Sequence, residues 1–167
     1  MPPELQRVLV VFHLAGQIAA LPLENVERIA SMAQLARPPG LPSPLEGILN
    51  WAGKAVPVVR LDHLLQLPEQ RPGLYSMLIL LKGAPDDQIA LLVDRVTEIV
   101  SVPDSALLPV GEQDSFNACT EAAVPVRGQV VHLLSPTRIL LEKERESLSE
   151  YQAIAQRRLL GWGLEKQ

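Results

Sequence analysis

Short apolar runs separated by turn residues dominate the chain. Val8 to Phe12 is apolar, β-branched and aromatic, which predicts a buried strand. Ile18 to Leu21 resumes after a turn at Ala15-Gly16, and Val26 to Ile29 follows with apolar ends. Arg37 to Pro44 holds four prolines in eight residues, which excludes a helix or a central strand. Gly47 to Trp51 and Ala55 to Val59 predict two strands joined by a turn at Ala52-Gly53-Lys54. Pro57 lacks a ladder donor and points to an edge or a bulge. Asp62 predicts the N-cap of a short helix over His63 to Leu67. Further strands are predicted at Tyr75 to Leu81, Ile89 to Val93, Val96 to Val102 and Val130 to Leu134. Gly83 to Asp87 predicts a turn and Ser105 to Leu108 a single helical turn, while 109–123 has weak periodicity and predicts a loop.

No breaker occurs from Pro136 to Leu160. This predicts one helix of about 25 residues, about 37 Å long. Leu141, Leu148, Tyr151, Ala155 and Leu159 fall near one stripe. Glu142, Glu144 and Glu146 lie early and Arg157 and Arg158 late, which suits the helix dipole. Gly161 supplies a stop, followed by Trp162. The plain expectation is a helix packed back on the β structure. The sharper one is a docking arm for a partner or for self-association with a second copy, anchored by Trp162.

The chain also resembles itself. Ile18 to Ile29 matches Ile89 to Ile99, with one gap. Gly53 to Leu61 matches Gly128 to Leu134, and each is followed by a capping residue and a Leu-rich segment, Asp62 in one copy and Ser135-Pro136 in the other. Val26 and Val96 are 70 positions apart, Gly53 and Gly128 75. The preserved order of four elements points to two related β lobes. A groove between such lobes suits a partner helix or peptide.

Composition narrows the function. Of 167 residues, 47% are hydrophobic and 20% charged, a globular balance. A net charge of −4 and 4% aromatics argue against nucleic acid as a partner. Val8 to Leu23 is interrupted by His13, Gly16, Gln17 and Pro22, so no direct membrane insertion is expected. Cys119 is the single cysteine, which suits a reducing cytosol, and a cytoplasmic location is expected.

Catalytic chemistry is hard to assemble. His13, His63 and His132 lack metal-ligand spacing with each other or with Cys119, so no metal and no cofactor is expected. Asp86-Asp87 reads as turn chemistry and Asp62 as a cap. Asp94 and Glu98 line one face without a burial signal for acid–base work. No phosphate loop or nucleophile elbow occurs, and the chain is read as a non-enzyme.

One set of residues goes further. Phe12-x-Leu14, Val26-x-x-Ile29, Pro42-x-Pro44-x-x-Gly47-Ile48-x-Asn50-x-x-Gly53, Val56-Pro57-Val58-Val59-x-Leu61, Leu92-Val93-Asp94-x-Val96-x-Glu98-Ile99 and Gly128-x-Val130-Val131-x-Leu133-Leu134 occur in this order. In that ordered set the chain resembles the CheW-like coupling proteins of bacterial chemotaxis, over residues 8 to about 141. The C-terminal α-helix read from the residues is a departure from the family; the resemblance itself implies a mainly β fold of two SH3-like five-stranded β-barrel lobes packed together. It divides the chain into a tail at 1–7, the double barrel at 8–141 and a helical extension at 142–167.

It also implies an adaptor that joins the cytoplasmic tip of a chemoreceptor to the regulatory domain of a histidine kinase, itself a similar double barrel. The receptor-facing positions correspond to Val26, Gly47, Asn50 and Gly53. Three places depart from the family pattern. Asn-x-Arg-Gly has become Asn50-Trp51-Ala52-Gly53, and Val-x-Glu-Ile has become Val26-Glu27-Arg28-Ile29. The charges of Val-x-Asp-Leu-Arg are exchanged in Val58-Val59-Arg60-Leu61-Asp62. Arg28, Trp51 and Ala52 therefore join the candidate partner-binding residues; Trp51 serves either as a binding anchor or as barrel filling. The departures imply a divergent branch serving chemotaxis, phototaxis or surface motility. The competing expectation is a free-standing β-barrel ligand-binding protein or enzyme.

Overall fold

The computed structural model describes residues 5–41, 45–68, 72–73, 75–83, 88–110, 119–139 and 152–161. Ten strands run in chain order: β1 (Gln6–Leu14), β2 (Gln17–Pro22), β3 (Val26–Ser31), β4 (Leu45–Trp51), β5 (Lys54–Arg60), β6 (Met77–Leu81), β7 (Ala90–Val93), β8 (Arg95–Pro103), β9 (Thr120–Val126) and β10 (Gln129–Leu134). The described helical segments are α1 (Leu61–Leu64), α2 (Pro136–Ile139) and α3 over 152–161.

The strands form two sheets, ordered β8-β1-β2-β10-β9 (barrel A) and β3-β6-β7-β5-β4 (barrel B). Adding five to each strand number of the first chain half, and subtracting five in the second, turns one order into the other. The repeat is therefore real, but its halves are interleaved. Barrel A takes β1 and β2 from the first half and β8 to β10 from the second; barrel B takes the complement. Each sheet holds one parallel pair at the matching place, β10 with β2 and β5 with β7.

Three apolar layers result. Leu9, Val11, Val124, Val131 and Leu133 fill barrel A. Val56, Val58, Leu78, Leu80 and Leu92 fill barrel B. Between them lie Val10, Phe12, Leu21, Val59, Ile79, Leu91 and Leu134. Alternate residues of β1, β5 and β6 thus enter different layers, which is why these strands read as unbroken apolar runs. Strands with one solvated face show alternation instead, as in β8 from Arg95 to Ser101.

Four local expectations change. Residues 120–123, placed in a loop by their weak periodicity, begin β9; Ala122, Ala123 and Pro125 carry little strand signal, and the strand is held by pairing with β10. Pro57 is not on an edge, since β5 lies between β7 and β4. It opposes Ile48, and the parallel pairing with β7 begins only at Val58, so its missing donor interrupts no described pair. Helix α1 starts at Leu61, with Arg60 at the N-cap; Asp62 sits inside the first turn and accepts the His63 N–H at 2.7 Å. The turn after β8 spans Asp104–Ala106, and Leu108 is extended, bridged to Ala123.

Within the predicted 136–160 helix the described residues 136–139 (α2) and 152–160 (in α3) are helical, and 140–151 lie outside the described residues. Leu141, Leu148, Tyr151 and Trp162 lie outside the described residues, as do Pro42, Pro44 and the Asp86-Asp87 turn. Pro136 opens α2, with the Ile139 N–H bonded to the Ser135 carbonyl.

Candidate partner-binding site

The site is built around the β4–β5 hairpin. Its two-residue turn needs left-handed backbone at both positions, and Ala52 and Gly53 supply it with φ of 52° and 84°. Asn50 secures the turn, its Oδ1 accepting the Gly53 N–H at 3.0 Å. Asn50, Ala52 and Gly53 are exposed.

Strands β3 and β4 are the two edges of barrel B, and a side-chain contact links them. The Arg28 guanidinium lies 5.4 Å from the centroid of the Trp51 ring. Two of the three departures from the family pattern therefore touch, Arg28 of one against Trp51 of the other. Trp51 is half-buried and packs on the core of barrel B, so it fills the barrel mouth and also carries the cation. The β3 register explains why Arg28 stands there. Val26 opposes Leu81 and Arg28 opposes Leu80, leaving Glu27 as the extra residue of a bulge. Glu27 is bonded to Gln88.

Val26 and Gly47 have a different place. Val26 is buried in the layer between the barrels. Gly47 is buried beneath the segment before β4, where an added Cβ would lie 2.7 Å from the Leu35 Cβ. Val26 thus belongs to a different layer from the one Trp51 packs on, Gly47 lies within β4, and Arg28, Asn50, Trp51, Ala52 and Gly53 lie at or against the hairpin end. The exchanged charges are absorbed locally: Arg60 faces Asp62 at 3.6 Å and Glu46 at 3.7 Å, and Arg37 meets Glu46 at 3.0 Å.

Helix α3 completes the site from far along the chain. Gln156 accepts the Ala55 N–H at 2.9 Å and donates to the Gly53 carbonyl at 3.2 Å. Ala155 is buried against Ile48 and Ala55, with Leu159 packed beside them. The α3 segment is thus packed back on a barrel. Reasoning from sequence placed Ala155 and Leu159 on the packing stripe but missed Gln156, which falls beside that stripe.

The other acidic residues singled out have structural partners. Asp94 accepts the Ala15 N–H at 2.9 Å, tying the β7–β8 switch to the β1–β2 turn. Glu98 pairs with Arg127 at 2.8 Å. Cys119 is buried and donates its thiol to the Arg138 carbonyl at 3.0 Å. Among the described residues no three His, Cys, Asp or Glu side chains cluster as a metal site, and no helix is long and apolar enough to cross a membrane.

This interleaved double barrel agrees with a family model, the CheW-like domain, which matches residues 8–144. The chain belongs to the CheW-like domain family. A chemotaxis protein CheW from Thermotoga maritima is 24% identical over 131 residues, 78% of this chain and 85% of that protein. One from Rhizobium meliloti is 22% identical over 143 residues, 84% and 92% of the two chains. The crystal structure of the scaffolding protein TtCheW from Thermoanaerobacter tengcongensis superposes with a TM-score of 0.73 at 20% identity, over 81% of this chain and 88% of that one. The CheW-like match ends short of α3, so the helix that leans on the hairpin lies beyond the matched residues.

Proposed function

We propose that the protein is a non-catalytic cytoplasmic adaptor that couples chemoreceptors to a histidine autokinase. The observation that carries this reading is the CheW-like match over 8–144. The double barrel it belongs with stacks three apolar layers, and the described acidic residues singled out above, Asp62, Asp94 and Glu98, serve turns and ion pairs. A rigid body of this kind suits scaffolding, since it holds two partners in fixed geometry so that receptor state biases kinase activity.

The receptor tip is assigned to the barrel B mouth: Arg28, Asn50, Trp51, Ala52 and Gly53; Val26 and Gly47 are buried. A half-buried Trp flanked by a polar turn has the make-up of a binding anchor. The kinase regulatory domain is assigned to barrel-to-barrel contact elsewhere. Self-association through α3 is the weaker use of that helix, because Ala155 and Leu159 already lie against Ile48 and Ala55.

Calorimetric titration tests the reading. The full chain is titrated with a histidine-kinase regulatory domain and, separately, with a receptor-tip fragment from the same cell. Saturable binding of both, at about micromolar affinity, is expected. Binding of neither would sink the adaptor reading.

A further inference from the structure

The two barrels close at equivalent mouths, and their charges differ. In barrel A, Thr97 is the extra residue of a bulge in β8, since Val96 opposes Phe12 and Glu98 opposes Val11. The bulge presents Glu98 to Arg127 of the β9–β10 turn at 2.8 Å. In barrel B the same bulge at Glu27 presents Arg28, and Ala52 takes the turn position of Arg127. The acid of the pair has become a base, and the base has become Ala52. Among the described residues no ion pair engages Arg28; it rests on the Trp51 ring.

More positive charge gathers beside it. Lys54 follows the turn and is exposed, and it opposes Trp51 across the hairpin. Helix α3 is held to Gly53 and Ala55 by Gln156, and the exposed Arg157 and Arg158 are the next two residues of that helix. One mouth is neutralised by its own pair. The other carries cations on a chain whose net charge is −4.

We propose that the mouth of barrel B is a cationic docking surface that recognises the acidic face of a receptor's helical tip. The proposal rests on the receptor reading above and adds the chemistry of the partner. A guanidinium lying on an aromatic face keeps N–H donors at its rim, fitted to a carboxylate. The Trp51 edge gives an apolar footing beside that charge, and Lys54 and Arg157 add attraction that speeds encounter at low salt. A tip presenting Lys or Arg at this position would be rejected by like charge.

The test uses the full chain and a receptor-tip fragment from the same cell, titrated at low and high salt. Wild-type affinity should fall steeply as salt rises. Arg28→Glu should weaken binding roughly tenfold or more and flatten the salt dependence. Arg127→Glu, the same charge change at the mouth of barrel A, should stay within about twofold of wild type. Should Arg28→Glu fold poorly by circular dichroism, Arg28→Gln with Lys54→Gln is expected to show the same loss at smaller size. Binding that ignores both salt and Arg28 overturns the proposal and leaves receptor docking intact. No binding of the fragment to the wild type overturns both.

Discussion

The hairpin faces of the two barrels are built on one plan and finished differently. In barrel B, Ile48 and Ala55 lie under α3, buried with Ala155 and Leu159. Their counterparts 75 positions later are Ala123 and Val130, and Val130 is 58% exposed. Even the strand-like fringe is repeated, with Ala36 bridged to Ile48 and Leu108 bridged to Ala123. The shared plan fixes where backbone goes. What a face does depends on where the halves differ, and Arg28, Trp51, Ala52 and the helix beside them are such differences at the β4–β5 hairpin.

That contrast can be tested by substitution. The largest effect belongs to the layer both barrels share. Phe12→Ala should cost about 3–5 kcal/mol, and urea melts followed by tryptophan emission and by circular dichroism should still coincide, because neither barrel keeps its wall alone. Two separated transitions would show that the barrels are independent. Next comes the paired position Gly47 and Ala122. Gly47→Ala pushes a Cβ into Leu35 and should cost about 1–3 kcal/mol. Ala122→Gly should cost about 1 kcal/mol in the same melts, and a reversed ranking would refute the close approach. Gln156→Ala should cost about 1 kcal/mol and speed hydrogen exchange of the Ala55 amide, while the Val130 amide is unchanged. The smallest effects are at the mouths. Arg28→Gln should lower stability by about 0.5–1 kcal/mol and shift Trp51 emission. Glu98→Gln, breaking an exposed pair, should cost under about 0.5 kcal/mol.

Much of the architecture was legible in the residues. The left-handed turns at Ala15-Gly16 and Ala52-Gly53, and the strands around them, follow from glycine placement between apolar runs. The two-lobe repeat was legible too, since Val26 and Val96, and Gly53 and Gly128, head equivalent elements. The interleaving was not. Periodicity reports which faces are buried but never which strand lies alongside, and the long-range pairing of β1 with β8 leaves no local mark. Strand β9 was missed because Ala and Pro gain their strand conformation from neighbours rather than from propensity. At the site, Arg28 and Trp51 were visible as departures from a pattern. Their contact was hidden, because it links the two edge strands of one sheet.

The interleaved sheets bear on how the chain emerges during synthesis. Barrel B is one continuous stretch, from Val26 to Val93, inserted into barrel A between β2 and β8. It has all its strands once Val93 has left the ribosome. The β1–β2 hairpin is made first and finished last. It must carry Leu9, Val11 and Ala20, the side chains meant for barrel A, unpaired until β8 to β10 arrive. The order of translation therefore leaves the barrel A face of the earliest hairpin uncovered until the end, and slowing synthesis between Val93 and Thr120 should lengthen that exposure.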